Sequence, residues 1–277
     1  MLLRELRVNL KSFILWASIS IAIFLVVFLV YPSIVSSSEM ANLDEMLKIF
    51  PEELLKAFNM DISSIDTAFG WLKSEGFVFI LLITCSYSGI LGSNILLKEE
   101  SDKTIEYLAM VPIKRTNIVL FKVIAGVIYV ISLIVIIGLF NLVCLAISGD
   151  FDVIQYLLLS ITPIFPALII FFICMLVSTF MNKTKKMLGI SLGIVLVSYL
   201  LNALSTMSSS IEFLKYFSVF TLADIRNVIK NISINPIMPI ISLLGSGIIL
   251  ALTIYRYNNK EFLWLFLCNC NYLSIIV

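Results

Sequence analysis

The stretch Lys98–Lys122, KEESDKTIEYLAMVPIKRTNIVLFK, decides how the rest of the chain is read. Its 25 positions hold nine of the 37 charged side chains in a chain of 277 residues. It lies between two long uncharged runs, Phe77–Leu97 and Val123–Gly149. Charged, helix-forming sequence between two apolar runs reads as a surface shown to water between two membrane crossings. Composition agrees: 60% of residues are hydrophobic and 13% charged, against about 45–50% and about 25% in soluble domains. Too little polar sequence remains to cover a soluble core. The expected fold is all-α and polytopic, with six transmembrane helices, an N-terminal interfacial helix and a short cytoplasmic coupling helix.

Working outward, each uncharged run is long enough for a span, which needs about 20 apolar residues to cross a core about 30 Å thick. The spans are expected at about 12–35, 77–97, 119–148, 154–181, 187–207 and 236–255. They form one membrane domain, 1–260, followed by a short apolar tail, 261–277, interrupted by Asn269 and Asn271. The first apolar run, Phe13–Val30, exceeds the 7–15 residues usual in a cleaved signal, so it reads as a retained span. Before it, Leu2, Leu3, Leu6 and Leu10 share one helical face, and Arg4, Arg7 and Lys11 another. That pattern fits a helix lying along the membrane with its basic face on anionic headgroups.

Glu39–Gly76 is the longest polar segment and is acidic, with eight Asp or Glu against three Lys. Leu43, Met46, Leu47 and Phe50 follow helical spacing, and Pro51 followed by two glutamates reads as a second helix start. Gly70 and Gly76 are expected as breaks before the second span. The second half of that span is small and polar. Ser88 and Gly92, and Gly89 and Ser93, stand four apart, which permits close helix approach. Ser86, Tyr87 and Asn94 are the candidates for a polar substrate path there. Pro163 and Pro166 are expected to interrupt the fourth span. Gly189 and Gly193 form a further small pair in the fifth, and Glu212–Lys230 is a mixed polar connection.

Positive charge orients the spans. The segments on the side of the termini hold 13 Lys and Arg, against 6 on the other side. By the positive-inside rule, both termini and Lys98–Lys122 are cytoplasmic. In that stretch Asp102 can cap a helix starting near Lys103. Ile105, Leu108 and Ala109 share a face, and Pro112 ends the helix.

The pattern Glu100, Thr104-Ile105-Glu106-Tyr107-Leu108, Pro112, Arg115 and Lys122 resembles the permeases of type-2 ABC transporters. Six spans and a long first external loop are similar to that family from Met1 to about Lys260. Lys103 stands where many members have Gly, and the tail after Lys260 is not typical. The resemblance implies the membrane subunit of a bacterial exporter in the cytoplasmic membrane, paired with a second permease copy or a homologue. It also implies coupling to a separate cytoplasmic ABC ATPase through Glu100, Thr104, Ile105, Glu106, Tyr107, Leu108, Ala109, Pro112, Arg115 and Lys122.

Other classes fit less well. The chain has no GxxxxGK[ST] phosphate loop, so it is expected to bind no cofactor itself and to rely on ATP used by its partner. A membrane hydrolase built on Glu99-Glu100 would need histidines, and the chain has none. The five cysteines read as small apolar side chains, and a net charge of +1 gives no nucleic-acid signal. An ion-driven transporter usually places an ionisable group within a span. A non-transporting sensor or immunity scaffold shares the composition and is the alternative reading.

Overall fold

The computed structural model describes residues 1–35, 67–102, 114–149, 151–181, 183–207 and 209–260. No strand occurs among them, and six helices are long and apolar enough to cross a membrane. The chain is an all-α polytopic membrane protein. Helix α1 runs Leu2–Val35. No Gly or Pro falls between Leu2 and Tyr31. The amphipathic start Met1–Lys11 therefore continues into the first span without a break, as part of the same helix.

Helix α2, Phe77–Ser101, is the centre of the bundle. Of its apolar stretch 72% is buried, against 17% for the first and last spans. Gly70 and Gly76 do not break the path into it. Ala68–Trp71 is a helical turn capped by Thr67, and Leu72–Gly76 is a π-helical turn that leads directly into α2. Helix α3 spans Arg115–Ser148 and stops at Gly149, whose φ of 143° favours glycine. Asp152 caps helix α4, Val153–Ile161, by accepting from the N–H groups of Ile154 and Gln155. The fourth span breaks at Thr162-Pro163, and helix α5 resumes over Ile164–Ser178. Pro166 causes no second break. It sits in the first turn of α5, where the missing N–H has no helical partner to lose.

Helices α2 and α5 pack most closely, and the spacing of small residues is the cause. A Cβ at Gly92 would stand 2.3 Å from the backbone oxygen of Phe171. The Phe171 ring also fills the space over Gly126 of α3, where a Cβ would stand 2.4 Å from it. The hydroxyls of Thr84, Ser88 and Ser93 bond to carbonyls of the preceding turn of α2, so these three buried donors are satisfied within the helix.

Helix α6, Thr184–Met207, and helix α8, Ile237–Asn258, complete the bundle. Between them the polar segment expected as a plain connection folds back into the protein. Two 3-10 turns, Ser209–Tyr216 and Val219–Ala223, lead into helix α7, Ile225–Asn231. Ser218 donates to the Ser198 carbonyl at 2.7 Å, and the Ser198 hydroxyl accepts from Val219 N–H at 2.9 Å. Ser198 lies about 13 Å from the end of α6, at 1.5 Å per residue. Irregular backbone at that depth survives because it is buried in protein and bonded. Sequence periodicity misses this, since the bonds run between segments.

Candidate functional site

Both roots of the Lys98–Lys122 stretch lie at the end of the bundle that carries Met1 and Lys260. The incoming root is the last turn of α2, closed by Asp102 as C-cap with its N–H on the Lys98 carbonyl at 2.8 Å. The outgoing root is the first two turns of α3, which begin at Arg115 after Lys114. The expected coupling residues Thr104, Ile105, Glu106, Tyr107, Leu108, Ala109 and Pro112 lie outside the described residues. So do the amphipathic pattern at Leu43–Phe50, Pro51 and the tail 261–277.

The expectation that the whole stretch faces water needs correction at its roots. Lys122 is 1% exposed and Glu99 8%. The Lys122 ammonium donates to both Glu99 oxygens at 2.6 and 2.7 Å, to the Ile95 carbonyl at 2.8 Å, and to Glu5 at 3.3 Å. Glu5, on the first turn of α1, is 3% exposed. A lysine has three N–H donors, and a carboxylate pair with a carbonyl uses all of them. A buried charge is tolerated only when paired and hydrogen-bonded. Opposite charges at positions 5, 99 and 122 meet this condition together, although each alone would be expelled from the bundle.

Aromatic rings hold α1 against this cluster. Phe13 lies 4.9 Å from the Tyr129 ring and 6.4 Å from that of Tyr87, and Trp16 lies 6.0 Å from Tyr87. Tyr129 donates its hydroxyl to the Leu6 carbonyl.

A second group of contacts ties in the remaining helices. The Lys260 ammonium pairs with Glu100 at 2.6 Å and reaches the Met181 carbonyl, just beyond α5, at 3.3 Å. The Arg115 guanidinium donates to the carbonyls of Asn258 and Lys260 at 3.3 and 3.2 Å. The Asn258 amide donates to Thr116 at 3.2 Å. Ser101 and Thr184, the first residue of α6, share a hydrogen bond at 3.3 Å. The two roots thus bond directly to α1, to α6 and to the end of α8, and Lys260 extends the second group to Met181, just beyond α5.

Of the expected site residues, the structure brings Glu100, Arg115 and Lys122 into this one region. Tyr87, expected on a substrate path, is 1% exposed and stacked toward α1. Ser86 and Asn94 are half-buried, about two turns apart on α2. Sequence reasoning missed Glu5, Glu99 and Lys260 as participants. Glu5 carried a signal: it is the only acidic residue in the first 38 positions. Among the described residues, no three His, Cys, Asp or Glu side chains gather to hold a metal ion.

No curated protein and no solved structure matches this chain. A family model described as ABC-2 family transporter protein matches residues 1–262. It covers the six apolar helices and both roots of the loop. The chain therefore belongs to the ABC-2 transporter family, as a membrane permease component that is not itself the ATPase.

Proposed function

We propose that this chain is the permease of an exporter driven by a separate cytoplasmic ABC ATPase, which engages the loop 98–122. The observation that carries the reading is the anchoring of both loop roots, by the buried Lys122 ion pairs to Glu99 and to α1 and by side-chain bonds to α6 and the end of α8. Buried ion pairs resist sliding, because separating one partner leaves a desolvated charge at a cost of about 3–5 kcal/mol. Force applied to the loop therefore moves the helices before it stretches the roots. Glu100, Arg115 and Lys122 hold the roots. Thr104, Ile105, Glu106, Tyr107, Leu108, Ala109 and Pro112 form the gripped helix.

The excess of Lys and Arg on the side of the termini, 13 against 6, supports cytoplasmic termini in a bacterial plasma membrane. A second copy or a homologue completes the translocation path, with Ser86 and Asn94 of α2 bordering it. ATP serves as the partner's fuel, and this chain binds none.

Polar replacement of Ile105 and Leu108 together tests the reading. A cytoplasmic ABC ATPase that co-purifies with the wild-type chain should cease to do so, while membrane insertion and yield stay unchanged. ATP-dependent flux in reconstituted vesicles should vanish with it. Undiminished co-purification of the ATPase refutes the coupling role of the loop.

A further inference from the structure

At the end of the bundle opposite the termini, the folded-back segment 209–231 leaves a cavity of about 270 Å³ against α2 and α6. That is just under the range of about 300–1,000 Å³ usual for small-molecule sites. It suits a ligand smaller than a drug. Val78, Leu81 and Ile225 supply apolar lining. The Tyr199 and Phe220 rings, 5.9 Å apart and edge to face, also line it. Glu212, Lys215 and Asp224 supply the charge.

The charges decide the ligand class. Lys215 is committed to Glu212 at 2.6 Å. Among the described residues no Lys or Arg pairs with Asp224, whose hydrogen-bond partner is the neutral Asn227. Desolvation raises the Asp224 carboxyl above its ordinary range, with the Asn227 bonds opposing it in part. Asp224 also holds the left-handed conformation, φ 41°, a position glycine would occupy without strain. An anion entering here would meet an excess of carboxylate. A neutral apolar molecule would strip Asp224 of further water and return nothing. A cation with an apolar body suits the carboxylate, the aromatic rings and the apolar lining together.

We propose that this cavity binds a small organic cation, an ammonium with a compact apolar body, held by Asp224 and the rings of Tyr199 and Phe220. The site lies far from the loop roots and needs no nucleotide, so it stands or falls apart from the exporter reading.

The test uses the full chain in zwitterionic-lipid nanodiscs at pH 7, without ATP. Benzylammonium is titrated by calorimetry, with benzyl alcohol as the neutral match. Saturable binding of benzylammonium is expected, at least tenfold tighter than that of the alcohol. Asp224→Asn should weaken the cation at least tenfold and leave the alcohol unchanged. Val78→Phe, which fills the cavity from α2, should abolish cation binding with Asp224 intact. It decides the question if Asp224→Asn fails to fold. Absence of saturable binding, equal affinity for cation and alcohol, or undiminished binding in a folded Asp224→Asn or Val78→Phe protein overturns the proposal.

Discussion

Lys122→Met tests the buried cluster most directly, because methionine keeps the length of the side chain and removes only its charge and donors. In the native protein the ammonium sits between Glu99 and Glu5, at 2.6 and 3.3 Å, with the Ile95 carbonyl as a further acceptor. Removing it leaves two carboxylates, 3% and 8% exposed, facing each other inside the bundle. Breaking one side of a buried pair costs about 3–5 kcal/mol. At 1.4 kcal/mol per decade, that is a shift of roughly two to three and a half orders of magnitude in the folding equilibrium. The repair is Glu5→Gln and Glu99→Gln on the Lys122→Met background, since an uncharged network carries no stranded charge. The triple variant should recover most of the loss, a coupling that separate single changes would not give by addition. Fluorescence-detected size exclusion after stepwise heating in detergent reads the order: wild type and triple variant high, single variant low. An unperturbed single variant, or a triple variant no better than the single, would refute the reasoning that these three charges stabilise one another.

Four further outcomes follow from the packing and the backbone. Gly92→Ala puts a Cβ 2.3 Å from the Phe171 oxygen and must push α2 off α5, at a cost of about 1–3 kcal/mol. Gly193→Ala, with nothing within 4 Å of its Cβ, should melt like wild type in the same assay. Asp224→Asn should be more stable than wild type at pH 7. The folded carboxyl is raised above 3.8, so the folded state holds more protons and native stability falls as pH rises through that window. The advantage of the asparagine should therefore shrink as the pH is lowered from 7 to 4, as followed by thermal melts across that range. Ile232→Gly relieves a branched residue at φ 49°, where the left-handed region costs an L-residue about 1–2 kcal/mol. Its melting temperature should rise.

Hydropathy made six of the helices legible, because an apolar run of span length has few other uses. That α2 admits a close helix neighbour was legible too, in the four-residue spacing of Ser88, Gly89, Gly92 and Ser93, but not that the neighbour is α5. What failed to show was whatever depends on charges meeting across helices. Glu99 and Lys122 stand 23 positions apart and Glu5 far from both, so along the chain they look like solvated flanks. Only their convergence makes burial affordable. Gly70 and Gly76 misled for a related reason: the Thr67-capped turn holds Gly70 and the π-helical turn holds Gly76, so glycine there does not stop the helix. The fold-back of 209–231 was hidden because its key bonds, Ser218 and Val219 to Ser198, involve residues common in any polar loop.

In the proposed coupling, α2 is the element through which the loop reaches the rest of the bundle. It is an unbroken helix of 25 residues, about 37 Å long at 1.5 Å per residue. Its lower end holds Glu99 and Glu100, which reach α1 and α3 through Lys122 and α8 through Lys260. Seven residues above Glu99, Gly92 presses on the Phe171 backbone of α5, a contact of main chain on side-chain-free helix that cannot give by rotamer change. At its upper end Val78 and Leu81 border the cavity that the 209–231 segment also lines. A displacement entering at the roots therefore meets charge pairs, then a rigid helix–helix contact, then the lining of that cavity, with no proline between them and with Gly89 and Gly92 both packed against α5. Gly92→Ala on a protein that still folds should accordingly weaken the dependence of flux on ATP more than it weakens ATPase binding. Equal losses in both would place the transmission outside α2.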